Sequence, residues 1–142
     1  YAHWTEAGIE PFVALKRKDE ARTFLGREST PPQASSGRRH AMFMVETSEE
    51  HAWSVPGDSP VLMGETVVGF TTTSAKGAIT GKTVAIGYVK NGDDGNPLAT
   101  PGQSGLVVEC YGNKWPVEVL AEPPIAAGGK PEAKPLKVAA AA

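Results

Sequence analysis

Cysteine is almost missing from this chain: Cys110 is the single thiol in 142 residues. No internal disulfide can form, so an apolar core has to hold the fold. Cys110 lies in the apolar run Leu106-Val107-Val108-Glu109-Cys110-Tyr111, where a small core or strand residue is expected rather than a nucleophile. An excess of one charge is missing too. Fourteen basic against sixteen acidic residues leave a net charge of −2, which excludes a broad nucleic-acid footprint and an acidic solvating composition. The basic cluster Lys16-Arg17-Lys18 is followed at once by Asp19 and Glu20 and reads as a solvated face. No apolar run is long enough for a transmembrane helix, and no secretory signal or transit peptide is recognisable. His3, His40 and His51 lack metal-ligand spacing. No Ser/His/Asp constellation or phosphate loop is present, so nothing supplies both a nucleophile and a base. Tyr1 opens the chain in place of Met, which leads to the expectation of a processed or longer parent.

What the sequence has is punctuation. Sixteen glycines and twelve prolines fall between short apolar runs, the pattern of a small all-β domain. Residues 1–33 read as a short α/β connecting segment. Within it, Ile9 to Leu15 is a possible strand with Pro11 at its start or on an edge, and Thr23 to Glu28 a short helix stopped by Pro31-Pro32. From Arg39 the strands are clearer, beginning with the run Ala41-Met42-Phe43-Met44-Val45. Val61-Leu62-Met63 and Thr66 to Phe70 flank Gly64-Glu65, whose leading glycine suits a type II′ hairpin. Thr83 to Val89 is the next strand, followed by a long loop from Asn91 to Pro97. Leu106 to Tyr111 and Lys114 to Leu120 flank Gly112-Asn113 as a second tight hairpin. Val117 and Val119 alternate with Glu118, the period of a half-buried strand. Pro116 cannot donate to a ladder and predicts an edge or a bulge there. Trp53 and Trp115 read as packing at the barrel ends. About six strands joined by short hairpins predict a small antiparallel β-barrel over residues 34–123. Residues 124–142 collapse to Ala, Gly, Lys and Pro and read as a flexible tail.

Gly64-Glu65-Thr66-Val67-Val68-Gly69-Phe70-Thr71-Thr72-Thr73-Ser74 is similar to the "Gly-x-x-Val-Gly-x-x-Thr-Ser-Gly" segment of the glycine cleavage T-protein family. Gly81-Lys82-Thr83-Val84-Ala85-Ile86-Gly87-Tyr88-Val89 resembles the family's "Gly-Lys-x-Ile-Ala-x-x-Tyr-Val" strand. Pro101-Gly102 with Leu106-Val107-Val108-Glu109 resembles "Pro-Gly-x-x-Leu-x-Val-Glu". Upstream, Thr5-Glu6-Ala7-Gly8-Ile9 is similar to the family's "Glu-Ala-Gly-Leu" segment, and Phe24-Leu25-Gly26-Arg27-Glu28 to "Asp-Phe-Ile-Gly-Arg-Glu". Glu49 to Thr72 most resembles the flavin-linked branch of dimethylglycine and sarcosine dehydrogenases and their non-catalytic regulatory relative. The chain departs from the pattern at Thr72-Thr73-Ser74-Ala75, where the turn glycine is missing or displaced to Gly77, and in the longer stretch Asn91 to Asn96.

The resemblance implies a C-terminal barrel that helps to close the tetrahydrofolate pocket of an aminomethyltransferase, or of a flavin-linked dimethylglycine- or sarcosine-type dehydrogenase. The preceding folate domains, with the catalytic Asp, would be its partners, and the barrel alone would bind no cofactor and catalyse nothing. Glu6 stands where the family's glutamate hydrogen-bonds the pteridine ring, a task suited to a carboxylate accepting two parallel N–H bonds. Arg38 and Arg39 stand where an arginine leading into the first barrel strand contributes to the folate site. The other reading is a non-catalytic accessory or structural subunit that binds a protein partner within a larger assembly. For a eukaryotic source the resemblance implies the mitochondrial matrix, and for a bacterial one the cytoplasm.

Overall fold

The computed structural model describes residues 4–9, 12–13, 26, 37–47, 54–78 and 80–124. It contains one turn of helix, α1 (Trp4–Ala7), and six strands: β1 (Arg38–Val45), β2 (Pro60–Met63), β3 (Thr66–Lys76), β4 (Thr83–Lys90), β5 (Leu106–Cys110) and β6 (Asn113–Leu120). All strand pairs are antiparallel, and the sheet closes as a barrel in the order β1-β4-β3-β2-β5-β6. The expected antiparallel barrel of six strands is therefore present. The expected helix over Thr23 to Glu28 falls outside the described residues apart from Gly26. His3, Lys16 to Lys18, His51, Trp53 and the tail from 125 also lie outside them. In the described part of Ile9 to Leu15, the Phe12 amide donates to the Ile9 carbonyl at 3.0 Å. That is a turn rather than a strand.

Period-two alternation explains which side chains fill the barrel. In β4, Thr83, Ala85, Gly87 and Val89 are buried while the residues between them are less so, because successive side chains in a strand point to opposite faces. Phe43 and Val45 of β1, Val61 of β2, Val68 of β3, Leu106 and Val108 of β5 and Val117 and Val119 of β6 complete the core. Each such side chain contributes roughly 1.5–3 kcal/mol by leaving water. Trp115 packs against this core half-buried.

The strand order is a Greek key rather than a run of neighbouring hairpins. The sequential strands β2, β3 and β4 lie side by side, and β1 lies beside β4, the arrangement in which a long connection returns a strand to its partner. β1 also closes the ring. It pairs with β4 over its whole length, but with β6 only from Met42↔Leu120 to Val45↔Val117. The seam is thus zipped over the second half of β1 alone, and residues 38–41 lie beyond it.

Two local expectations are corrected. The β5–β6 turn is Tyr111-Gly112, one residue earlier than Gly112-Asn113, since Cys110 pairs with Asn113. Both turn residues have positive φ, 51° for Tyr111 and 75° for Gly112, the type I′ pattern that matches strand twist. Pro116 is neither on an edge nor bulged. It pairs with Val107, and its carbonyl accepts from the Glu46 amide at 2.9 Å. Its missing N–H therefore faces β1 just past the end of the β1–β6 ladder, where one lost bond costs little. The bulges lie instead between Val61 and Leu62 and between Thr71 and Thr73, bending the sheet toward closure. Gly64, with a φ of 62°, leads the β2–β3 turn as expected of a type II′ hairpin.

The segment 55–59 is bound to the barrel by hydroxyls. Thr71, fully buried, donates through Oγ1 to the Pro56 carbonyl at 2.6 Å and accepts from the Ser59 amide at 3.2 Å. Ser74 Oγ meets both backbone groups of Val55, at 2.7 and 2.8 Å. These bonds satisfy an irregular backbone that would otherwise desolvate unpaired.

Three measurements check this account. A Cβ at Gly87 would run into the Phe70 carbonyl and the Thr71 backbone of β3, so Gly87→Ala should lower stability by roughly 2 kcal/mol or more in urea unfolding. Tyr111→Asn should raise it by about 0.5–1 kcal/mol, because Asn tolerates the left-handed region better than Tyr. Burial pushes the Cys110 thiol up, against a smaller opposing effect of the hydrogen bond with Trp115. A raised thiol pKa leaves less thiolate than in free cysteine at pH 8, so a disulfide reagent should react far more slowly with the native than with the urea-unfolded chain.

Candidate functional site

The open half of the β1–β6 seam is where the sequence candidates gather. α1 packs on β1, and its Thr5 is buried. That contact sets the helix turn against the barrel and aims Glu6 at the first residue of β1. Arg38 Nε donates to Glu6 Oε1 at 3.3 Å, with the Glu6 side chain 14% and the Arg38 side chain 36% exposed. At that exposure the pair contributes at most about 1 kcal/mol, so its value lies in orientation.

Arg38 is held from its other side as well. Its guanidinium carbon sits over the Tyr88 ring, 4.3 Å from the centroid. His40 is registered opposite Tyr88, and Tyr88 opposite Phe70. Arg38 is therefore a diagonal neighbour of Tyr88, within the reach that long side chains have across antiparallel strands. The His40 ring centroid lies 5.1 Å from that of Tyr88 with planes tilted by 59°, and the Phe70 centroid lies 5.5 Å away at 38°. Three rings from β1, β4 and β3 thus form one row on the outside of the barrel, with the guanidinium laid on the middle one.

Arg39 is registered with Val89, so the strand period turns it away from Arg38. It lines a cleft of about 310 Å³ with Val89, Ala99, Thr100, Val119 and Leu120, where β1 and the end of β6 diverge. Its guanidinium also passes close to Gly8, 3.8 Å from where a Cβ would stand. The structure therefore brings all three candidates around the Glu6–Gly8 turn: Glu6 and Arg38 as an ion pair, and Arg39 beside them from the barrel mouth. Among the described residues two guanidiniums and one carboxylate meet here, groups suited to a ligand with an anionic portion. Among the described residues no group of three or more His, Cys, Asp or Glu side chains could hold a metal ion.

Sequence reasoning passed over Tyr88. The signal was available, since alternation in Thr83 to Val89 puts Ile86 and Tyr88 outside when Ala85, Gly87 and Val89 point in. It also passed over a second cleft of about 350 Å³ at another place on the barrel, lined in part by Met44, Gln103 and Glu118. There Lys82 Nζ pairs with Glu46 Oε1 at 3.5 Å. No motif marks that cleft, because its residues come from distant stretches that only closure brings together.

Comparison with known proteins agrees with this architecture. Residues 38–125 match the model of the glycine cleavage T-protein C-terminal barrel domain, a span that begins at Arg38 and covers all six strands. The chain is also 27% identical over 128 residues to an aminomethyltransferase of Streptomyces avermitilis, an alignment covering 87% of this chain and 33% of that protein. The chain spans about a third of that relative's length. No helix among the described residues is long and apolar enough to cross a membrane. With a closed barrel in which every matched strand is present, this chain belongs to the glycine cleavage T-protein C-terminal barrel family.

Proposed function

We propose that this barrel forms one wall of a tetrahydrofolate pocket in an aminomethyltransferase-type enzyme of one-carbon transfer, either the aminomethyl kind or the flavin-linked methylamine dehydrogenase kind. The observation that carries this reading is the Glu6–Arg38 pair at the open end of the seam, with Arg39 beside it. Folate presents an aminopyrimidine edge rich in N–H donors and an anionic tail. The Glu6 carboxylate, the Arg38 guanidinium paired with it and the Arg39 guanidinium near Gly8 supply the complementary groups. Glu6 would take the aminopyrimidine edge, and Arg38 and Arg39 would face the anionic portion. When bound, the folate accepts the one-carbon unit. The residues of this chain orient it and keep the barrel side of the pocket dry, while the group that stabilises charge during the transfer comes from the preceding domains.

One feature favours the second reading, an accessory barrel without folate. Glu6 Oε1 already accepts from Arg38, as in a purely structural clasp between connector and barrel. Calorimetric titration with tetrahydrofolate, run on the barrel together with the preceding folate domains, separates the two. Micromolar binding that falls at least ten-fold in Glu6→Ala supports the folate wall. Absence of heat at millimolar folate, in a chain whose unfolding midpoint is normal, leaves the clasp and directs the search to a protein partner.

A further inference from the structure

Tyr88 has no part in the folate reading as stated, yet its ring meets the Arg38 guanidinium, His40 and Phe70. Its neighbours are fixed on both sides by register, His40 on β1 and Phe70 on β3, so the ring has little room to turn. It occupies the one β4 position from which a side chain can meet Arg38 on the diagonal. Arg38 is more than a third exposed, and every contact along its long stem narrows the rotamers it samples. Laid on the Tyr88 ring at 4.3 Å, it keeps one direction, and that direction ends at Glu6 Oε1 at 3.3 Å. Glu6 comes from a helix of one turn, far too short to hold its own orientation.

From this geometry we infer that Tyr88 is a positioning residue: its ring sets the direction of the Arg38 guanidinium, and through it the direction of the Glu6 carboxylate that a ligand meets. The inference rests on the reading of Glu6 and Arg38 as ligand-contacting groups, and it adds a residue that contacts no ligand itself. The ring face is what matters, through cation–π attraction and stacking, and the phenol hydroxyl is dispensable. Tyr88→Phe therefore keeps the function and Tyr88→Leu loses it, a distinction that packing volume alone does not make.

The test uses the full chain, isotope-labelled, with two readouts. The first is free of ligand: the Arg38 Nε–Hε and Glu6 Cδ resonances in the wild type, Tyr88→Phe and Tyr88→Leu. Ring current should displace the Arg38 resonance in the first two. In Tyr88→Leu it should return toward its random-coil position and carry the Glu6 signal with it. The second is tetrahydrofolate affinity, measured with the preceding folate domains present, which should fall about two- to five-fold in Tyr88→Leu and be restored in Tyr88→Phe. If Tyr88→Leu disturbs the barrel, seen as lost signal dispersion, Tyr88→Met removes the ring with a more adaptable side chain and takes its place. Unmoved Arg38 and Glu6 resonances in the ringless variant overturn the inference. So does an equal loss in Phe and Leu, which would assign the role to the hydroxyl. Should the wild type bind no folate, the folate reading falls and the two resonances alone decide the role of Tyr88.

Discussion

Ring closure is the constraint from which the rest of this molecule follows. A sheet of six strands has two edges unless its first and last strands in space meet, and here they meet only between Met42 to Val45 of β1 and Val117 to Leu120 of β6. Those four pairs remove both edges from solvent. They also compel the strand bending seen elsewhere. A sheet that returns on itself must coil tightly, and it does so through bulges in β2 and β3 and through the close crossing of β3 and β4 at Gly69 and Gly87, where no side chain fits. The hydroxyls of Thr71 and Ser74 then hold the segment 55–59 against the bent strand.

The same partial closure places the candidate site. β1 continues past the zipped part of the seam through Arg38 to Ala41, and there α1, the Arg39 cleft and the aromatic row on β4 and β3 meet. A fully zipped seam would carry β6 backbone where the cleft now stands. The candidate site is therefore the part of β1 that β6 leaves uncovered, where β4 is the sheet neighbour and the Arg38 guanidinium meets the Tyr88 ring and Glu6. Residues that contribute little to stability at this end are free to serve recognition.

How much of this was legible beforehand depended on range. Local rules sufficed for the strands Thr83 to Val89 and Lys114 to Leu120, where alternation is clean, and for the Gly64-Glu65 turn, where only the first position demands a positive φ. They misplaced the β5–β6 turn because Tyr111 adopts a left-handed conformation that its residue type disfavours. Asn113 looked like the turn residue, and only the Cys110↔Asn113 register moves it into the strand. Pro116 was misjudged for a related reason: an absent donor matters only where a partner would stand, and that is a question of sheet order. The Greek-key order itself has no local signature. Glu6, Arg38 and Arg39 were singled out as candidates through motif resemblance, while the Arg38–Tyr88 contact was not foreseen. It joins residues fifty positions apart along the chain and requires the β1–β4 register before it exists.

The order of pairing also dictates when this domain can exist at all. β1 is the first barrel strand made, yet its partners are β4, some forty residues later, and β6, at the far end of the domain. Until residue 120 has emerged from the ribosome, both sides of β1 cannot be covered, and Phe43 and Val45 have no complete interior to fill. Loop closure over such separations is slow, and contacts of this range form late. The hairpins β2–β3 and β3–β4 can assemble as a meander while synthesis continues, with β1 as a loose flap ahead of them. A barrel closed by its first and last strands is thus an all-or-nothing object in time as well as in space, and a chain interrupted before β6 would present β1 as an open edge to its neighbours.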